Sequence, residues 1–301
     1  MKQITAYIRH KPISILLLTL PLAYLAEILH WGPLWVFTLS AISVIPLAAY
    51  IGEGTEALAK YTNPRVGGLL NATLGNAAEL IITIVAIRAG LLELVKASIT
   101  GSILGNLLLV MGLSMVAGGL RNGMQSFDRR QASRNAILLV LAVIALIIPS
   151  IFSGYIDNPQ STRVEALSVG TAIVMMVLYG LSLLYSFRFA RSPISHESTE
   201  KIIHEPTCSI RKSVIILTLA TIGVVFASEI LIGAVEPVMV GFGISEFFIG
   251  IILIPLIGNV AEHFVAVQVA AKNQMDLSVE IAVSSSLQIA LFVAPVLVFI
   301  S

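Results

Sequence analysis

Long apolar runs separated by short polar segments make up most of this chain of 301 residues. A helix needs about 20 predominantly apolar residues to cross a bilayer, and nine stretches meet that length: residues 12–29, 34–58, 67–90, 95–118, 131–152, 164–189, 212–235, 244–271 and 278–301. The first is longer than the apolar core of a secretory leader, and no small-residue cleavage pattern follows it, which favours a retained helix. The pattern therefore predicts an all-α polytopic membrane protein.

The composition supports this class and excludes others. Hydrophobic residues make up 57% of the chain and charged residues 12%, with a mean hydropathy of +0.94, whereas a soluble domain carries roughly twice that charged fraction. The net charge of +1 gives no indication of nucleic-acid binding, and the single Cys208 excludes a disulfide framework or a cysteine metal cluster. No HExxH, Walker or GxSxG string is present, so the familiar soluble enzyme chemistries have no support, and we expect that the protein is not an enzyme.

The basic residues of the connecting segments predict the orientation. With the N-terminus assigned to the cytoplasm, 15 of the 18 Lys and Arg residues fall in cytoplasmic segments and 3 in external ones, as the positive-inside rule requires. The longest polar segment, residues 191–211, contains two histidines and three glutamates. We interpret it as a cytoplasmic acidic linker between two halves, and a regulatory cation site there is the alternative to a plain solvated connection.

Two short motifs recur inside the apolar stretches. Gly-Asn-Ala-Ala-Glu-Leu covers residues 75–80 and Gly-Asn-Val-Ala-Glu-His covers residues 258–263. The spacing from residue 75 to residue 258, at which the two motifs begin, defines the repeat offset of this chain. The motifs fall in the third and eighth stretches, so five crossings separate them and the two repeats must run in opposite directions. Inverted repeats with a site near the bilayer midplane are typical of secondary transporters.

The repeat divides the chain into an extra N-terminal transmembrane helix, a first half of five helices, the linker and a second half, at residues 1–30, 31–190, 191–211 and 212–301. A complete second half would also contain five helices, whereas the apolar pattern provides three. We therefore expect inverted five-helix repeats plus one extra helix, with nine of an expected eleven helices present and the second half truncated.

The motifs place Glu79 and Glu262 within membrane-spanning sequence, where carboxylates are rare and mark ion pathways. Asn76 and Asn259 precede them by three residues, so each pair shares one helix face. Breaks are expected at Gly67-Gly68 and Gly75 in the first motif's helix and at Pro255 and Gly258 in the second. A broken helix frees backbone carbonyls, which can serve as further oxygen ligands.

Polar stripes follow one helix later. Ser102 follows Glu79 at the same spacing at which Ser285 follows Glu262, and Gln288 lies on the second stripe. These side chains are candidates to complete an oxygen cage, with helix packing through small residues as the alternative. Asn106 is a weaker candidate, and His263 is interpreted either as a group that tunes Glu262 or as one that faces a neighbouring helix.

Two further glutamates precede the motifs by one helix. Glu56 and Glu229 are predicted to be buried enough to join a proton path or an entrance, whereas Glu53 and Glu236 lie nearer helix ends.

The donor types indicate the ion. Carboxylate, hydroxyl, amide and carbonyl oxygens suit Ca²⁺, which takes about 6–8 oxygen ligands, whereas soft metals prefer sulfur or nitrogen. Two carboxylates neutralise one divalent cation, and without it they repel one another in a low-dielectric site and take up protons. Competition between Ca²⁺ and H⁺ for the same groups is a physical basis for antiport.

These residues resemble the two alpha-repeats of the cation/Ca²⁺ exchanger superfamily, and more closely its Ca²⁺/H⁺ antiporter branch. The similarity rests on the second motif, on Ser-Ser-Ser-Leu-Gln at 284–288 without the Asp or Asn of Na⁺/Ca²⁺ exchangers, and on the upstream strings at 54–59 and 227–231. The resemblance implies eleven helices, with Glu79 and Glu262 as the central Ca²⁺- and proton-binding carboxylates. It also implies access controlled by a sliding gate of the first two helices, and it places near the site Asn76, Asn259, Ser102, Ser285 and Gln288.

Two alternatives remain open at this point. A Na⁺-coupled exchanger of the same superfamily would keep both glutamates, and a divalent cation channel would require symmetric subunits around a pore. The short linker and short N-terminus favour a prokaryotic plasma membrane over a vacuolar membrane.

Overall fold

The computed structural model describes residues 12–62, 64–153, 162–188 and 209–301, and within these ranges the chain is almost entirely helical with no β-strand. This confirms the all-α class. The predicted linker, residues 191–211, lies outside the described residues except at its end, where the Ser209 side chain accepts a hydrogen bond from the Lys212 N–H and caps the next helix.

A 3₁₀ segment, Pro12–Leu18, leads into the extra N-terminal helix, α1 (Thr19–Ile28). The helices of the first half follow: α2 (Pro33–Ala59), α3 (Pro64–Leu74), α4 (Ala77–Arg88), α5 (Leu92–Leu104), α6 (Met111–Asn122), α7 (Arg129–Ser153) and α8 (Thr162–Arg188). A π-helical segment, Gly105–Val110, joins α5 to α6 without a break.

The second half repeats this order. Its helices are α9 (Ile210–Gly233), α10 (Val235–Phe242), α11 (Glu246–Phe248), α12 (Ile254–Gly258), α13 (Val260–Ala271), α14 (Met275–Gln288) and α15 (Ala294–Ile300). Two π-helical segments, Ile249–Leu253 and Ile289–Val293, join α11 to α12 and α14 to α15.

Each of the nine predicted apolar stretches overlaps a helix of the structure. Among the described residues, six helical segments are long and apolar enough to cross a membrane: Pro33–Ala59, Leu92–Asn122, Ala132–Phe152, Arg163–Tyr185, Ile210–Phe242 and Met275–Ile300. The broken pair Glu246–Gly258 and Val260–Ala271 makes a seventh if it counts as one span, and Ile13–Ile28 is a shorter apolar helix. The count of nine transmembrane helices therefore stays a prediction.

The repeat offset recurs in the boundaries of the helices. It relates the starts of α4 and α13, the ends of the same two helices, and the starts of α5 and α14. The turn that follows the first of these pairs repeats as well, because Gly90 and Asn273 both adopt a left-handed backbone conformation, with φ of 79° and 63°. Gly and Asn are the residues that take this conformation most readily, so the repeat extends from the motifs to the backbone.

The described chain forms two compact units, and each combines segments from both halves. Unit I comprises residues Met1–Ser98 and Pro206–Ala261, and unit II comprises Ile99–Glu205 and Glu262–Ser301.

Unit I is built around the packing of α2 against α9. Gly54 lies against Leu217, and Gly223 lies against Leu47, so the two helices run antiparallel with a glycine at each close approach. These helices occupy equivalent places in the two halves. Their opposite directions agree with the inverted repeat predicted from the motifs.

Unit II contains a second antiparallel pair of equivalent segments. The Asn106 side chain contacts Ser285, whereas the Asp128 backbone N–H, one loop later, donates to Asp276 Oδ1 at 2.6 Å. Two apolar clusters lie in the same unit, and their buried members are Val110, Ala266, Ala270, Met275, Val279, Ala282 and Val283.

Two of the predicted helix breaks are wrong. Gly67 and Gly68 lie inside α3, and Gly67 serves close packing, because a methyl group there would lie 3.1 Å from Ala59 Cβ. Pro255 lies inside the continuous helical segment Glu246–Gly258, directly after the π-helical turn Ile249–Leu253, and the segment ends only at Gly258. The breaks at Gly75 and Gly258 are confirmed.

Candidate functional site

Both glutamate motifs fold into the same local structure. The first helix of each pair stops at Leu74 or Gly258, one or two residues intervene, and a new helix starts at Ala77 or Val260. Asn76 (φ −95°, ψ 16°) and Asn259 (φ −106°, ψ 7°) hold nearly the same non-helical conformation. Glycine followed by asparagine favours this geometry, because both tolerate a break between helices.

Each glutamate therefore lies in the first turn of the second helix. The positive end of a helix dipole stabilises a carboxylate at that position, and the helix before the break presents its carbonyl end there. The two breaks thus supply a favourable place for a negative charge and a set of backbone oxygens beside it, which is the arrangement that transporters use for ions.

In unit I, Glu79 is buried, with 2% of its surface exposed, and it lies against the break of the other half. A methyl group at Gly258 would lie 3.7 Å from Glu79 Cβ. Asn76 and Asn259 are buried in the same unit. The Thr83 hydroxyl, one turn after Glu79, donates to the Glu79 backbone carbonyl at 2.8 Å, so Thr83 bonds to its own helix.

In unit II, Glu262 lies at the end of a chain of polar side chains. Ser285 Oγ donates to Glu262 Oε2 at 2.7 Å, and Asn106 Nδ2 donates to Ser285 Oγ at 3.1 Å. Asn106 Oδ1 lies 3.1 Å from His263 Nε2. The structure thus brings together the predicted Glu262 and Ser285, with Asn106 and His263 added to them.

The serine-rich stretch of α14 separates into one serine toward the glutamate and two that bond to their own helix. Ser284 and Ser286 donate to the carbonyls of Glu280 and Ala282, whereas Ser285 donates to Glu262. Ser102 is buried and Gln288 is half-buried, and both lie in unit II with Glu262. Their roles as ion ligands remain predictions.

The expectation that Glu56 and Glu229 are buried is wrong. The Glu56 side chain is 67% exposed and pairs with Lys60 Nζ at 3.2 Å, one turn later on the same helix. Glu229 lies on an exposed face of α9. Apolar positions of α2 and α9 fill their mutual interface and turn these carboxylates away from it, so membership of a proton path stays a prediction without support from burial.

Sequence reasoning gave too little weight to Asn106. It is 1% exposed and bonds on both sides, to Ser285 and to His263. The sequence does place Asn106 four residues after Ser102, on the same polar stripe. Its contact with Ser285 of α14, however, depends on how the helices pack, which residue spacing does not show.

The site offers oxygen donors. Among the described residues, no three His, Cys, Asp or Glu side chains come together as a metal-binding group. A cation held at these motifs would therefore depend on single carboxylates supplemented by amide, hydroxyl and backbone oxygens, a donor set suited to a hard cation.

A sequence model of the family described as sodium/calcium exchanger protein matches residues 32–188 and 212–301. The chain belongs to the sodium/calcium exchanger family. The match spans both halves of the predicted repeat, and it confirms the resemblance that the motifs indicated.

Curated relatives in this family are similar over nearly the whole chain. A Ca(2+)/H(+) antiporter from Aphanothece halophytica is 44% identical over 296 residues, which cover 94% of this chain and 79% of that protein. The Ca(2+)/H(+) antiporter ChaA from Bacillus subtilis (strain 168) is 45% identical over 285 residues, covering 93% and 80%.

Two solved structures share the fold of this chain. The structure of native YfkE matches with a TM-score of 0.80 and 41% identity, covering 95% of this chain and 81% of that one. The H+/Ca2+ exchanger CAX matches with a TM-score of 0.70 over 96% of this chain and 73% of that one. At 15% identity, the similarity to CAX shows the fold alone.

Proposed function

We propose that this protein is a secondary antiporter that exchanges Ca²⁺ for H⁺ across a membrane. The observation that carries the proposal is the repeated helix break, which places Glu79 and Glu262 at equivalent helix starts within apolar sequence. The relatives named Ca(2+)/H(+) antiporters, at 44% and 45% identity, support the choice of ions.

Charge balance explains why these groups couple the two fluxes. A divalent cation balances the charge of two carboxylates, and in a low-dielectric site its departure leaves two charges that protons must neutralise. Each carboxylate thus holds Ca²⁺ or a proton but not both. The protein can then cross between its two access states with the site neutral in either form, which couples Ca²⁺ movement to opposite H⁺ movement.

Neutral oxygens complete the proposed cation site. Ca²⁺ requires more ligands than two carboxylates provide, and the buried Asn76, Asn259, Ser102 and Ser285 and the half-buried Gln288 are proposed to contribute. Ser285 is the best supported of these, because its hydroxyl already lies 2.7 Å from Glu262 Oε2.

We place the protein in a prokaryotic plasma membrane, with its N-terminus in the cytoplasm. The bacterial relatives support the membrane, and the excess of Lys and Arg in the predicted cytoplasmic segments supports the orientation. In that setting the inward proton gradient would drive Ca²⁺ out of the cell.

The test is Ca²⁺ uptake into proteoliposomes that contain the protein, with an imposed pH gradient and without Na⁺. Uptake that collapses when a protonophore dissipates the gradient is the expected result. The matched control is Glu165→Gln, since Glu165 is an exposed carboxylate in the first turn of α8, outside both motifs. Uptake that persists after the pH gradient has been dissipated would contradict proton coupling.

The family description names a second coupling ion to test. Sodium/calcium exchange is the activity in the name of the matched family, so the same vesicles should be given a Na⁺ gradient at equal pH on both sides. Uptake that follows the Na⁺ gradient would leave the fold and the two glutamates in place and would replace H⁺ by Na⁺ as the coupling ion.

A further inference from the structure

Three hydrogen bonds in unit II join four side chains into a chain that ends on a proposed ion-binding carboxylate. Glu262 accepts from Ser285, Ser285 accepts from Asn106, and Asn106 Oδ1 lies 3.1 Å from His263 Nε2. Asn106 belongs to the first half of the sequence and the other three to the second, so helix packing within this unit assembles the chain.

The direction of the chain follows from the donors available. When Glu262 is ionised, the one hydroxyl proton of Ser285 goes to the carboxylate, so the Ser285 oxygen accepts from the Asn106 amide N–H. The amide oxygen then faces His263 and can only accept, so His263 Nε2 carries the proton. Every donor therefore points toward Glu262. His263 Nδ1 is left buried without a hydrogen-bond partner among the described residues.

We propose that Asn106 is a positioning residue that orients the Ser285 hydroxyl toward Glu262 and holds His263 beside it, acting through Ser285 rather than on the ion. This inference rests on the proposed Ca²⁺/H⁺ antiport. An amide is well suited to the role, because it donates on one side and accepts on the other within a rigid plane.

The backbone around Asn106 is also unusual. It lies in the π-helical segment Gly105–Val110 between α5 and α6, and π-helical turns occur often at functional sites. The equivalent segment of the second half, Ile289–Val293, is π-helical as well. The backbone feature is thus shared by the two halves, whereas the side chain that uses it is not.

The repeat makes the assignment specific to one glutamate. When the repeat offset is applied, the counterpart of Asn106 is Ile289 and the counterpart of His263 is Leu80, while Ser102 corresponds to Ser285. Ile289 and Leu80 have no polar side-chain atoms, so the first motif has no equivalent chain. Positioning of Glu262 by Asn106 thus makes the two glutamates functionally unequal.

Buried amides also hold membrane helices together without any role in transport. The two roles differ in the quantity that the Asn106 variant changes. If Asn106 positions Ser285, its loss raises the KM for Ca²⁺, and removal of Ser285 leaves nothing for Asn106 to position, so the two changes are not additive. If Asn106 only packs helices, its loss lowers the thermal midpoint of the Ca²⁺-free protein and leaves the KM for Ca²⁺ unchanged.

The experiment is a double-mutant cycle of Asn106→Leu and Ser285→Ala, measured as Ca²⁺ uptake by the full chain in proteoliposomes. Leucine keeps the branched shape of the asparagine side chain and removes both hydrogen bonds. We expect each variant to raise the apparent KM for Ca²⁺ about tenfold with little change in kcat, and the double variant to add no more than about twofold. Ser286→Ala is the matched control, because Ser286 is buried one residue away and bonds only to its own helix.

Two outcomes would overturn the proposal: an unchanged KM in Asn106→Leu, or a double variant whose KM rises by the product of the single effects. If Asn106→Leu does not fold, Asn106→Ser replaces it in the same cycle. The Ca²⁺-dependent rise in the thermal midpoint of the purified protein provides a second readout. If the wild-type protein binds Ca²⁺ but shows no proton-driven uptake, the proposed antiport is contradicted. The double-mutant cycle is then measured through the Ca²⁺-dependent rise in the thermal midpoint, which tests the role of Asn106 separately.

Discussion

The two glutamate motifs share a backbone and differ in their surroundings. Asn76 and Asn259 hold similar dihedral angles, and both glutamates lie in the first turn of a new helix. Glu79, however, lies against Gly258, whereas Glu262 accepts a hydrogen bond from Ser285 at the end of a four-residue polar chain. The Glu79 motif thus packs against a glycine of the opposite half, and the Glu262 motif ends a hydrogen-bonded chain that includes Asn106 and His263.

This difference shows what an internal repeat preserves and what it leaves to change. Local sequence sets the break and the helix start, so both follow the repeat offset. The groups around each carboxylate come from distant segments, which differ between the halves. An exchanger that must bind a divalent cation and release it for protons can use two equally placed charges with unequal neighbours, because the two groups then need not change their protonation together.

Removal of either motif carboxylate should have the largest effect on Ca²⁺ uptake. We expect Glu79→Gln and Glu262→Gln each to lower proton-driven Ca²⁺ uptake in proteoliposomes by more than about tenfold, since one carboxylate neither balances a divalent cation nor completes the proton cycle. Glu165→Gln, at an exposed helix start, should keep wild-type uptake. Residual uptake above about one tenth in either motif variant would remove that glutamate from the mechanism.

The contact of Glu79 with Gly258 is the next place to test. A methyl group at Gly258 would lie 3.7 Å from Glu79 Cβ, an ordinary contact distance, so Gly258→Ala should leave uptake within about twofold of wild type. Gly258→Leu has no room and should reduce uptake about tenfold by displacing Glu79. Equal uptake by the alanine and leucine variants would show that this contact does not position Glu79.

The left-handed turns of the two halves allow a smaller and purely structural test. Gly90→Asn should leave the thermal midpoint of the purified protein unchanged, because Asn273 already adopts that conformation at the equivalent turn. Gly90→Val should destabilise the protein by about 1–2 kcal/mol, the cost of a left-handed conformation for a residue with a Cβ. A valine variant as stable as the asparagine variant would mean that the turn relaxes to another conformation.

The smallest effect is expected at the upstream glutamates. Glu56 forms an exposed ion pair with Lys60, and such pairs contribute about 0–1 kcal/mol. Glu56→Gln and Glu229→Gln should therefore retain at least about half of wild-type uptake. A loss of proton coupling in either variant, with Ca²⁺ binding intact, would restore the sequence-based hypothesis of a proton path through these residues.

The helix breaks show which local features of the fold could be predicted from the sequence. The breaks at Gly75 and Gly258 were predictable, because a glycine followed by asparagine in an apolar run weakens a helix locally. The breaks predicted at Gly67-Gly68 and Pro255 are wrong, since glycine also serves close helix packing and the helix continues through Pro255 after a π-helical turn. Glycine can mark either a helix break or a close contact between helices, and only the position of the neighbouring helix distinguishes the two.

The sequence by itself determined the helical class, the inverted repeat, the two glutamates and the preference for a hard cation. These properties depend on composition, on spacing along one helix and on residue chemistry, all of which are local. Only the tertiary structure decided that Ser285 rather than Ser284 or Ser286 bonds to Glu262, that Asn106 bridges Ser285 and His263, and that Glu56 and Glu229 are exposed. Those outcomes depend on which face of a helix meets another helix, and that choice is made by packing between segments far apart in the chain.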